Sequence, residues 1–151
     1  MNKIVKKYRK SKGFTLVELL IVIIIIGILA GMMMLSTGSA TDKAEATKIV
    51  SDMRNIKSAC LMYYADNGVW PTATIDNVKP YLDQDPSSYD LKEGTASGDL
   101  YVTYSQAAKM TAGVKSKLTD MTSDAGLKAG PTSTDYTGDD EVGMVVRRST
   151  N

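Results

Sequence analysis

Glu18 constrains this chain more than any other residue. It stands one helical turn inside a run from Phe14 to Leu35 in which only Glu18 and Thr15 break the apolar character. A helix needs about 20 mostly apolar residues to cross a membrane, and this run supplies them. A carboxylate at the centre of such a helix costs roughly 2.5–3.5 kcal/mol on insertion scales, and less near the interface. No cation lies within the run to neutralise it. An ionisable side chain in that setting points to function, and its partner has to be found.

The residues in front suggest one. Met1 to Lys12 carries Lys3, Lys6, Lys7, Arg9, Lys10 and Lys12 and no acid. A basic block before an apolar span stays on the cytoplasmic side. A cut after Gly13 would leave Phe14 with a charged amine about one helical turn from Glu18. That amine could pair with the Glu18 of a neighbouring subunit shifted along the helix axis. In a low-dielectric setting such a pair is favourable only when both charges are matched.

The stretch Lys12-Gly13-Phe14-Thr15-Leu16-Val17-Glu18 resembles the prepilin signature, or class III signal peptide, of type IV pilins and type II secretion pseudopilins. The resemblance extends over about residues 1–70. It implies that prepilin peptidase cuts between Gly13 and Phe14 and N-methylates Phe14. It also implies that Glu18 is the assembly glutamate. The implied partners are the chain itself as a helical homopolymer, other pilins, and an inner-membrane assembly platform. The implied location is the cytoplasmic membrane as a single-pass prepilin, then an extracellular or periplasmic filament. Two plainer readings compete. An ordinary secretory signal could end at Gly38-Ser39-Ala40, but its apolar core would be about 7–15 residues with no acid inside. A simple membrane anchor explains the length and leaves Glu18 without a role.

With 151 residues, the chain has room for one modest domain beyond the anchor. The net charge of +1 conceals an uneven distribution, because the leader is wholly basic and acids outnumber bases after it. A mildly acidic surface does not suit nucleic acid. Histidine is absent and Cys60 is the one cysteine. This excludes His-based triads, His-ligated zinc and an intrachain disulfide. With no paired carboxylates placed in a motif either, no enzyme is expected. Many pilins close a C-terminal loop with a disulfide, which this chain cannot do.

The expected organisation is a leader over 1–13, an apolar half-helix over 14–40, an amphipathic half-helix over 41–66, and a head over 67–151. Gly27 and Gly31 form a G-x-x-x-G step that either lets helices approach closely or is merely tolerated. Ser36-Thr37-Gly38-Ser39 has poor helix propensity and is the expected place to bend or loosen when subunits pack. Beyond it, Ala46, Ile49, Met53, Ile56, Cys60 and Tyr63 recur on one helical face. Lys48 and Asp52 stand one turn apart and can pair. The helix should end at Asp66-Asn67-Gly68, and Trp70-Pro71 should leave extended, with Trp70 plugging the gap between helix and sheet.

In the head, 74–82 reads as a short helix weakened by Pro80. Tyr89–Lys92, Leu100–Tyr104 and Val142–Arg148 read as strands, the first two forming a hairpin. Ser105 reads as the N-cap of a helix carrying Ala107, Met110, Val114, Leu118 and Met121, closed by Gly126. The fold class is α+β: a pilin-like long helix packed on a small antiparallel sheet.

One loop has the look of a metal site. Asp135, Asp139, Asp140 and Glu141 offer hard oxygens on a glycine-containing segment, and calcium takes such ligands. The spacing does not fit the EF-hand loop. The major pseudopilin of type II secretion, which the chain resembles, carries a C-terminal acidic loop that binds calcium. The plain reading is a solvated loop with no cofactor. Both stay open on sequence grounds.

Overall fold

The computed structural model describes residues 13–72, 74–96 and 98–149, and the side chains of all of these except 34–37. The basic leader at Met1–Lys12 lies outside the described residues. The helix α1 spans Leu16–Asn67, within two residues of its expected bounds. Helical backbone continues through residues 36–39. The chain nevertheless divides at that point into two compact units, one ending at Thr37 and one beginning at Gly38.

The first unit is the apolar arm of α1. Its large side chains from Phe14 to Met33 are exposed, with Phe14 at 89%. The helix is long and apolar enough to cross a membrane by length and composition. Backbone hydrogen bonds are satisfied inside a helix, so such a segment can sit in lipid.

The second unit wraps the rest of α1. A 3-10 helix, Ile75–Tyr81, follows the exit turn. Next come β1 (Tyr89–Glu93), β2 (Leu100–Tyr104), α2 (Ala112–Asp120), α3 (Thr122–Ala125), β3 (Leu127–Ala129) and β4 (Val142–Arg147). The strands form one antiparallel sheet in the order β1-β2-β4-β3. The β1–β2 hairpin pairs Tyr89 with Tyr104 and Leu91 with Val102. Ala46, Ile49, Met53, Ile56 and Cys60 are all buried, so the apolar face of α1 is the core seam; Val50 and Ala59 join it. Leu91, Val102, Tyr104 and Met144 from the sheet, and Met110, Val114 and Leu118 from the crossover, belong to the same core.

The α1 exit follows its residues closely. Gly68 takes the left-handed conformation at φ 71°, which glycine adopts without a Cβ penalty. Its N–H donates to the Tyr64 carbonyl at 2.8 Å. Trp70 is half-buried, stacks on Tyr64 at 4.6 Å between ring centroids and lies beneath the Arg147 guanidinium. It thus joins the end of the helix to the end of β4.

Three details differ from expectation. The crossover helix begins at Ala112, and its N-cap is Thr111, not Ser105. Thr111 Oγ1 accepts from the Val114 N–H at 3.3 Å. Residues 105–110 instead form turns in which the Gln106 carbonyl accepts from the N–H groups of Lys109 and Met110. The start of α2 is set by α1: the Thr111 hydroxyl donates to Asp42 Oδ1 at 3.3 Å. Gly113 leaves room for that carboxylate, since a Cβ there would lie 1.9 Å from Asp42 Oδ2. Second, Asp52 does not pair with Lys48; it accepts from the Tyr89 hydroxyl at 2.9 Å and ties α1 to β1. Third, β3 has no alternating run to announce it. Three residues after Gly126 are enough, because they pair with the first half of β4.

Candidate functional site

The first site is the start of α1. Thr15 is the N-cap: its carbonyl accepts the first helical bond, from the Leu19 N–H at 3.2 Å. Its backbone N–H and its hydroxyl both donate to Glu18 Oε2, at 2.7 and 2.8 Å. The Glu18 N–H donates back to Thr15 Oγ1 at 3.2 Å. This is a reciprocal capping box, in which each side chain satisfies the other residue's N–H group. Negative charge in the first turn also suits the helix dipole. Gly13 and Phe14 precede the helix in non-helical backbone. Among the described residues nothing lies within 4 Å of where a Gly13 Cβ would stand, and Phe14 is exposed. The arrangement places the Gly13–Phe14 bond outside the helix and, next to it, a carboxylate held in place by Thr15. Thr15 has no role in the sequence reading, although Thr15-Leu16-Val17-Glu18 carries the T-x-x-E spacing that marks a capping box.

The second place is the loop between β3 and β4, where the acidic residues 135–141 fall. Their carboxylates do not converge. Among the described residues no three acidic, His or Cys side chains form a group able to hold a metal ion. Asp135 Oδ1 pairs with Lys128 Nζ at 2.5 Å, and Glu141 Oε1 pairs with Lys92 Nζ at 2.5 Å. Asp140 pairs with Lys115, whose ammonium holds the carboxyl below the usual range. Asp139 Oδ2 accepts from the Thr137 hydroxyl at 3.2 Å. Sequence spacing gives no sign of the three lysines, since they come from β1, α2 and β3.

Cys60 lies fully buried in the α1 seam, and burial pushes its thiol up to about 12. It is a core side chain, as its place on the apolar face implies.

Comparison with known proteins adds to this geometry. Residues 8–34 match the family described as the prokaryotic N-terminal methylation motif. Residues 40–115, half of the chain, match the family described as PilW, C-terminal. The type II secretion system core protein G of Vibrio cholerae serotype O1 is 42% identical over 67 residues, covering 44% of this chain and 46% of that protein. The core protein G of Aeromonas hydrophila is 38% identical over 85 residues, covering 54% of this chain and 59% of that one. The chain thus spans about half the length of the curated relatives it matches. The solved structure of the major type IV pilin PilA1 from Clostridium difficile aligns with a TM-score of 0.53 at 20% identity. That alignment covers 72% of this chain and 98% of the pilin, and it shows the fold.

Proposed function

This chain belongs to the PilW C-terminal family, among the type IV pilins and type II secretion pseudopilins, and from that premise we propose that it is a structural subunit of a type IV pilus filament. Family members are structural subunits, not enzymes. The observation that carries the reading is the Thr15–Glu18 box at the head of an exposed apolar helix, directly after Gly13-Phe14.

The mechanism follows from these residues. The basic leader keeps the N-terminus cytoplasmic while the apolar arm of α1 sits in the membrane. Prepilin peptidase cuts after Gly13 and methylates the Phe14 amine. While the subunit waits in lipid, Thr15 satisfies Glu18. During assembly the Phe14 amine of one subunit meets the Glu18 carboxylate of another. An inner-membrane platform draws the helix out of lipid into a bundle of like helices. Both media are apolar, so this transfer has little hydrophobic cost, and the matched charges together with close packing select the register. The heads then coat an extracellular filament, in which self and other pilins are the partners.

A second reading is a pseudopilin in a periplasmic filament of a type II secretion system. It is favoured by the curated relatives, which are named as core protein G of that system.

The test is a pair of variants in the native cell. Gly13→Glu is expected to leave the leader on, seen as a retained mass on a gel. Glu18→Val is expected to be inserted and cleaved but to yield no filaments. Normal filaments from Glu18→Val would remove the charge pairing from the account.

A further inference from the structure

We propose that three lysine ammonium groups close the C-terminal loop of the head in place of a divalent cation, so that the head folds without calcium. The relevant donors are the carboxylates of this loop, Asp135, Asp139, Asp140 and Glu141, and their arrangement does not fit calcium. Calcium takes six to eight oxygens at about 2.3–2.6 Å, converging from several side chains. Here the carboxylates diverge, and most already hold a cation. Glu141 takes Lys92 from β1, Asp140 takes Lys115 from α2, and Asp135 takes Lys128 from β3. An ammonium is a compact point charge with three donors, so it neutralises a carboxylate without demanding a coordination sphere.

The geometry of the loop supports the same assignment. The lysines come from three different elements, so each pair fastens the loop to another part of the head. Two of the lysine side chains are mostly buried, with Lys128 15% and Lys115 24% exposed, which limits their freedom to swing away. Lys92 is 41% exposed and pairs with the mostly buried Glu141. The backbone inside the loop is served by protein groups. The Ala129 N–H donates to the Thr134 carbonyl at 2.9 Å, the Gly130 N–H to the Glu141 carbonyl at 3.0 Å, and the Tyr136 N–H to the Leu127 carbonyl at 3.2 Å. The buried Tyr136 hydroxyl donates to the Asp139 carbonyl at 2.8 Å, which takes up an oxygen that a loop-bound cation would otherwise use. A calcium ion entering here would have to expel ammonium groups of its own sign. The inference concerns the head alone and is read from the head's stability, apart from the Phe14–Glu18 pairing at the start of α1.

The experiment is thermal unfolding of the purified full-length chain in detergent, in excess EGTA and in millimolar CaCl2, each at low and at high NaCl. Terbium luminescence serves as a direct probe of a calcium-type site. The expected result is an identical midpoint in EGTA and CaCl2, no sensitised terbium emission, and a midpoint that falls with added NaCl. Lys115→Met is expected to lower the midpoint and weaken its NaCl dependence, again without calcium rescue. A midpoint several degrees higher in CaCl2 than in EGTA would overturn the proposal, as would saturable terbium emission. The comparison between EGTA and CaCl2 is made on the unaltered chain, so the result does not depend on whether the variant folds.

Discussion

Thr15 and Glu18 hold one another through three hydrogen bonds: two from Thr15 to Glu18 Oε2 at 2.7 and 2.8 Å, and one returned from the Glu18 N–H at 3.2 Å. The acid that makes the apolar helix costly in lipid is the same group that caps it. A carboxylate accepting two hydrogen bonds is better matched to a membrane than a bare one, yet it keeps a charge that a foreign amine can claim.

Replacing Thr15 with Val is therefore predicted to remove the hydroxyl from both its roles while preserving shape. Cleavage after Gly13 should proceed, and filament yield should drop several-fold. Thr15→Ser keeps the hydroxyl and should assemble close to normally. Electron microscopy of sheared filaments, with the cleaved subunit quantified in membranes, separates assembly from supply. Equal filament yields from Val and Ser would show that the box has no role.

In the head, Gly143 on β4 faces the backbone of Gly130. A Cβ at Gly143 would lie 2.1 Å from the Gly130 carbonyl oxygen, and a backbone atom has little freedom to retreat. Gly143→Ala is predicted to destabilise the head by about 1–3 kcal/mol, the usual range for overpacking. That corresponds to a Tm drop of roughly 4–12 °C for a unit of this size. Gly38→Ala is the control: among the described residues nothing lies within 4 Å of its Cβ position. It should be neutral or stabilising by about 0.5–1 kcal/mol, since alanine is the better helix former.

The pH dependence of stability is predicted to have two limbs. Lys115 depresses the Asp140 pKa in the folded head, so the pair's contribution is complete above the ordinary value of 3.8. It is lost as pH falls below 3.8, through the depressed folded value. Burial pushes Tyr136 the other way, from 10.0 up to about 12. Its stabilising effect is complete below pH 10 and is lost between about 10 and 12, where only the unfolded chain ionises. Unfolding midpoints measured across pH should show both limbs. Lys115→Met should flatten the acid limb and leave the alkaline one in place.

Cys60 is predicted to be silent toward a thiol reagent in the native chain and to react fully once the chain is unfolded in denaturant. It is 0% exposed and its thiol is raised to about 12, so little thiolate forms at neutral pH. Rapid native labelling would mean that the α1 seam opens.

The parts of this molecule with a period were legible in its sequence. The three- and four-residue steps from Ala46 to Cys60 identified the buried face of α1, and Asn67-Gly68 marked the exit. Tyr89–Lys92, Leu100–Tyr104 and Val142–Arg148 have the composition of strands, and the strands run over Tyr89–Glu93, Leu100–Tyr104 and Val142–Arg147. What was not legible depended on contacts made across the chain. The start of α2 moved from Ser105 to Thr111 because Asp42, far away in sequence, meets Thr111 and the open side of Gly113. The strand at Leu127–Ala129 exists only because β4 offers it an edge. The acidic loop looked like a ligand set because its lysine partners lie on three separate elements. Of the proposed assembly site, Glu18 stands out by its cost in an apolar run. Thr15 stands out less, since its part is to cap the helix with Glu18 through the T-x-x-E spacing.

Intact-mass spectrometry of the subunit purified from filaments or membranes tests the central claim most directly. The account predicts a chain that begins at Phe14 and carries one added methyl group at its amine. A mass that retains the basic leader from Met1, or one that begins at Thr41 beyond the apolar arm, would contradict it. In either case no Phe14 amine would exist to meet Glu18.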